Sequence, residues 1–72
     1  MNTLELKIAR IRAKKSRRDM AAAIGKSVES YGKKERGEFK FSDAEKVIVA
    51  RELALSAEQA NDIFFDGNLP NR

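Results

Sequence analysis

Apolar residues along this chain recur at helical rather than alternating spacing, and each run opens on a residue able to cap a helix. Thr3 precedes Leu4, Leu6, Ile8 and Ile11, which predicts a first helix reaching about Lys14. Ser16 with Asp19 three residues on has the form of a capping box, and Met20, Ala21, Ala23 and Ile24 follow it. Gly25 then offers the left-handed conformation in which helices commonly stop. Ser27 caps a third segment from Val28 to about Arg36, closed by Gly37. Ser42 with Glu45 opens a fourth through Leu53, with Ala44, Val47, Ile48 and Arg51 at helical spacing. Ser56 with Gln59 opens a fifth through Phe64, in which Ala60, Ile63 and Phe64 share an inward face. The pattern predicts an all-α fold of five short helices over residues 1–66. Gly67 and Pro70 end it, leaving residues 67–72 as a flexible C-terminal tail.

The second and third helices are joined by Gly25-Lys26-Ser27, a three-residue turn containing glycine. That is the layout of a helix-turn-helix, in which the second helix is free to enter a major groove, and it is also that of an ordinary helical hairpin. Ala21 falls where the two helices would cross closely, and Ile24 and Tyr31 would pack the wedge between them.

Charge changes this picture more than size does. The 72 residues allow one domain, carry a net charge of +4, and contain neither cysteine nor histidine. Disulfides, thiolate metal sites and the commonest general base are therefore absent. Residues 1–40 hold twelve Lys/Arg against five Asp/Glu, whereas residues 41–72 hold three against six. A chain that is cationic at one end seeks a polyanion, either nucleic acid or an anionic membrane surface. The membrane surface suits it less, because the basic residues straddle a capped break at Lys15-Ser16 instead of lying along one long helix. No apolar run approaches the roughly 20 residues that span a bilayer. The polar, periodic N-terminus gives no sign of a signal peptide, so a cytoplasmic location is expected.

Residues 6 to 64 resemble the lambda-repressor-like (Cro-type) helix-turn-helix regulators of phages and bacteria. The likeness is carried by Arg10, by Ser16-Arg17-x-x-Met20-Ala21-x-x-Ile24-Gly25-x-Ser27, by Tyr31-x-x-x-Glu35-x-Gly37 and by Leu53-x-Leu55-Ser56. Phe39-x-Phe41-Ser42 and Asp62-Ile63-Phe64-Phe65 are similar to small regulators of Gram-positive bacteria and their phages. The resemblance implies a five-helix DNA-binding domain, double-stranded operator DNA as partner, action as a homodimeric repressor, and an ion pair between Arg10 and Glu35. The family commonly has Gln where this chain has Arg17, a departure toward stronger and less selective backbone binding.

Contacts to phosphate and to bases separate by position. Arg17 and Arg18 lie in the first turn of the second helix, where free N–H groups and the positive dipole end already favour a phosphate. Lys14, Lys15 and Lys40 are further phosphate candidates, as are Lys34 and Arg36 late in the third helix. Base reading falls to the leading face of that helix: Val28, Glu29, Gly32 and Lys33. Val28 suits a thymine methyl, Glu29 a cytosine amino group, and Lys33 guanine O6 and N7 or a phosphate. Gly32, which costs about 1 kcal/mol relative to Ala in mid-helix, fits either a close approach to the DNA backbone or simple tolerance.

Gly25-Lys26-Ser27 also reads as the end of a phosphate-binding P-loop, but the motif needs another glycine at position 20, which is Met. The carboxylates are scattered and the chain is too short to close a normal substrate pocket, so no enzyme, metal, cofactor or small-molecule substrate is expected. The alternative function is a protein-interaction module on the same fold, antitoxin-like or an anti-repressor, using Val28, Tyr31, Phe64 and Phe65. Phe65 and Leu69 are the candidates for an exposed dimer patch.

Overall fold

The computed structural model describes residues 1–65; the expected tail, including Leu69, lies outside them. Five helices succeed one another: α1 Thr3–Arg12, α2 Arg17–Ile24, α3 Val28–Glu35, α4 Asp43–Glu52 and α5 Ala57–Phe64. No strand occurs among the described residues. The all-α architecture and the order of helices follow the sequence pattern.

Each helix starts where a side-chain oxygen can take an otherwise unpaired N–H. Ser16, Ser42 and Ser56 form full capping boxes with Asp19, Glu45 and Gln59, and Ser27 Oγ accepts from Ser30 N–H. The cap of α1 is Asn2 and not Thr3. Asn2 Oδ1 accepts from Glu5 N–H at 3.1 Å, and Asn2 N–H donates to Ile63 O at 2.7 Å, tying the start of α1 to α5.

Four helices end alike. After α2 and α3 the chain turns left-handed at Gly25 (φ 70°) and Gly37 (φ 85°); after α1 and α4 it does so at Lys14 (φ 59°) and Ala54 (φ 52°). The next N–H bonds back in each case: Lys15 to Arg10 O, Lys26 to Ala21 O, Glu38 to Lys33 O and Leu55 to Ala50 O. These are Schellman closures. They stop α1 at Arg12, short of Lys14, and α3 at Glu35. A left-handed residue with a Cβ is strained by about 1–2 kcal/mol, part of which glycine loses again to unfolded-state entropy. Ala54→Gly is therefore expected to stabilise the fold by about 0.5–1 kcal/mol, read as a rise of a few degrees in Tm.

The core gathers Leu6, Met20, Ala21, Ile24, Tyr31, Phe41, Val49, Leu53, Ile63 and Phe64. Phe41, from the α3–α4 connection, meets Tyr31 and Phe64 edge-on at centroid distances of 6.1 and 5.8 Å, a favoured geometry for aromatic pairs. Around it α2 packs on α3 and α4, while α1 meets α3 and α5. Ala21 is buried, as a close approach of α2 to its neighbours requires.

Two helices turn a different face inward from the one their apolar residues suggest. In α1 the inward line is Leu6, Ala9 and Arg10, continued by Ala13 at its end, and Leu4 and Ile11 stand 64% and 56% exposed. In α4 it is Glu45, Ile48 and Val49, and Ala44, Val47 and Arg51 are exposed. Each inward face carries a buried, paired charge. Arg10 reaches Glu35, and Glu45 takes both Ser42 N–H and the Lys34 ammonium.

Candidate nucleic-acid interface

The α2–α3 turn sets the geometry. Gly25 and Ser27 stop one helix and start the next within three residues, so α3 leaves directly from the end of α2, and Arg17 at the start of α2 shares a cleft with Val28 and Glu29 at the start of α3. Val28, Glu29 and Lys33 are exposed along it, whereas Tyr31 and Glu35 on the opposite side are buried. An open cleft of about 390 Å³ is lined by Arg17, Val28, Glu29, Gly32, Lys33 and Arg36. Its lining thus combines three cations and one carboxylate with Val28 and Gly32, and the Lys33 ammonium lies 5.2 Å from the Phe39 ring centroid. All four residues expected to read bases line this one surface, with two of the expected phosphate contacts.

Gly32 differs from the others. It is buried, and a Cβ built on it would lie 3.2 Å from Arg36 Nη1. The atom that Cβ would meet is the far end of the Arg36 side chain, and Gly32 offers a base edge no side chain. Arg36 is held there by Glu38, whose carboxylate accepts from Arg36 Nε at 2.7 Å. The Arg36 hydrogen bond and charge keep the Glu38 carboxyl below its ordinary range.

At the start of α2 the capping box is closed. Asp19 N–H donates to Ser16 Oγ at 3.0 Å, and Ser16 N–H donates to Asp19 Oδ2 at 2.8 Å. That bond to Ser16 N–H, with a second from the Ser16 hydroxyl, lowers the pKa of Asp19. The N–H groups of Arg17 and Arg18 precede the one that Ser16 takes, and both side chains are exposed.

The remaining phosphate candidates divide. Lys14 is exposed at the left-handed residue after α1. Lys15 is half-buried and lies 3.8 Å from Glu52. Lys40 is exposed, but on a separate groove with Phe39, Phe41, Lys46 and Phe64. Lys34 does not belong to the set. Its ammonium donates to Glu45 at 2.9 Å and to Lys40 O at 3.1 Å, and it is 12% exposed. Burial raises the Glu45 pKa, but the bonds from Ser42 and Lys34 outweigh it and the net direction is down. Lys34 therefore fastens α3 to α4, and its charge is already matched.

Behind the cleft the implied Arg10–Glu35 pair is present and mostly buried. Arg10 Nε donates to Glu35 Oε2 at 2.7 Å and Arg10 Nη1 to Lys15 O at 2.9 Å. Tyr31 Oη donates to the same Oε2 at 2.8 Å. Burial, then this bond and the Glu35 charge, push the Tyr31 phenol far above its ordinary pKa. The sequence places Tyr31 in the wedge between α2 and α3 or against a protein partner; it is fully buried, and its bond to Glu35 is signalled only by their spacing of one helical turn.

Elsewhere, a groove between α4 and α5 is lined by Asp43, Lys46, Val47, Ala50, Ala60, Phe64 and Phe65. Phe65 is half-buried under the Lys46 ammonium, 4.8 Å from its ring centroid. No helix among the described residues is long and apolar enough to cross a membrane. Comparison with protein-family models, with curated proteins and with solved structures finds no match to this chain.

Proposed function

We propose that this chain is a sequence-specific DNA-binding transcriptional regulator of the lambda-repressor-like helix-turn-helix kind, acting by laying α3 in the major groove of operator DNA. One observation supports the reading above the rest. The exposed side of α3 gathers Val28, Glu29 and Lys33 with Arg17 and Arg36 around a single open cleft, beside the leading end of α2. A helix of this kind fits the major groove, about 12 Å wide. Arg17, Arg18, Arg36 and Lys14 would set its register on phosphates, and Val28, Glu29 and Lys33 would meet base edges. With no Asn, Gln or Arg among those three, sequence preference is modest and leans on DNA shape.

Half-sites one helical turn apart call for two copies. The α4–α5 groove, with Val47 58% exposed on its rim, is one apolar surface on which a second copy would pack. Repression of phage or bacterial promoters is the mode the resemblance implies.

Selection of bound duplexes from a random pool tests this reading. Enriched, two-fold related half-sites are expected. Glu29→Ala is expected to relax preference at one base pair of each half-site, a loss of roughly 1–3 kcal/mol of discrimination. A pool that shows no enrichment, from a protein that shifts no duplex at low salt, refutes it and favours the protein-interaction module.

A further inference from the structure

The two oxygens of the buried Glu35 carboxylate are not equally engaged. Oε2 accepts two short bonds, from Arg10 Nε at 2.7 Å and Tyr31 Oη at 2.8 Å. Oε1 has only longer neighbours, Arg10 Nη2 at 3.4 Å and Arg17 Nε at 3.4 Å. Arg10 is spent on interior partners, because Nη1 goes to Lys15 O. Arg17 is different: its side chain is 45% exposed while its partner carboxylate is 3% exposed. It reaches inward with Nε and lines the cleft beside Val28 and Gly32. Its positive charge is also felt at the Tyr31 phenol, where it opposes the rise in pKa.

We propose that Glu35, through Oε1, is a positioning residue for Arg17, aiming its guanidinium so that the outer edge grips a DNA phosphate while the inner edge stays anchored behind α3. The proposal rests on the DNA-binding reading above. The contact with Glu35 is an ion pair at 3.4 Å through Nε; because the guanidinium is a rigid planar fork, its far edge can then offer two parallel N–H groups to a phosphodiester. The carboxylate, guanidinium and phosphate then alternate in charge. Arg10 and Tyr31 fix the carboxylate to α1 and α3, so a backbone contact at the start of α2 is tied to the orientation of α3. A lysine at position 17 keeps the charge but not the fork.

The test is a titration of a 20-bp random duplex by fluorescence anisotropy at several salt concentrations, for the wild type, Arg17→Lys, Glu35→Gln and the double variant. Arg17→Lys is expected to bind about tenfold more weakly at every salt concentration with the salt slope unchanged, because the count of neutralised phosphates is the same. In the Glu35→Gln background the same exchange is expected to cost under about twofold. Arg17→Lys binding like a steeply salt-dependent wild type overturns the positioning role and leaves the DNA-binding reading standing. A wild type that binds no duplex at low salt overturns both. Should Glu35→Gln fail to fold, NMR of the wild type decides: Arg17 Nε–H is expected to exchange with water about tenfold more slowly than Arg18 Nε–H, and equal rates overturn the proposal.

Discussion

Arg10→Met is expected to destabilise the protein by about 3–5 kcal/mol, measured by urea unfolding, because it leaves a buried carboxylate without its main partner. Glu35 is 3% exposed and would keep only Tyr31 Oη and the more distant Arg17 Nε. Lys15 O would lose its donor as well, freeing the connection into α2. A core of this size rarely supplies more than about 3–5 kcal/mol of net stability, so the variant should be largely unfolded at 37 °C. The double variant Arg10→Met/Glu35→Leu should recover most of the loss. Both desolvated charges are then gone, and what remains is one unpaired Tyr31 hydroxyl, roughly 1–3 kcal/mol. A single variant costing under about 1 kcal/mol would show that the pair does not organise the fold. The contrast separates two roles: a buried pair is a poor source of net stability but a strict constraint on how α1, α2 and α3 meet.

What the chain discloses about itself follows the range of the interactions involved. The serine caps at positions 16, 27, 42 and 56 are legible because donor and acceptor lie three residues apart. The stops at Gly25 and Gly37 are legible because residue type and conformation coincide. Lys14 and Ala54 adopt the same conformation with no signal in their side chains; the backbone bonds of Lys15 and Leu55 impose it. The inward faces of α1 and α4 are not legible from apolar spacing for a related reason. Arg10 and Glu45 occupy positions that a hydrophobic pattern assigns to solvent, and their partners lie on other helices. The cleft was legible because Ser27 fixes where α3 begins, and helical spacing then places Val28, Glu29, Gly32 and Lys33 on one side. The tie between Arg17 and Glu35 was not, since nothing local links the first residue of α2 to the last of α3. Lys34 shows the same limit from the other side. Its charge suggests a phosphate contact, and only the packing of α3 on α4 reveals that Glu45 claims it.

That difference among the cations gives the second large effect. Affinity for a random duplex, per bound chain, is expected to fall about 100-fold between 50 and 200 mM salt, since each neutralised phosphate contributes about 0.9 to the slope of log K against log salt and roughly four are expected per chain. On the proposed docking, Arg17, Arg18, Lys14 and Arg36 supply the four. Arg18→Ala should reduce the slope by about 0.9 and weaken all sequences alike, because a phosphate contact carries no base information. Arg36→Ala should do the same only in part, because Glu38 already offsets that guanidinium in the free protein. Lys34→Ala makes the sharper comparison. It removes the same formal charge one residue from Lys33, yet its ammonium faces Glu45 and Lys40 O, so no counterion release depends on it. The slope should stay at the wild-type value while the unfolding midpoint drops, since Glu45 is left buried without its cation. Equal slope changes for Arg18→Ala and Lys34→Ala would mean that overall charge alone attracts DNA. A slope that responds to Arg18 and ignores Lys34 requires a docked face with the orientation described for the starts of α2 and α3.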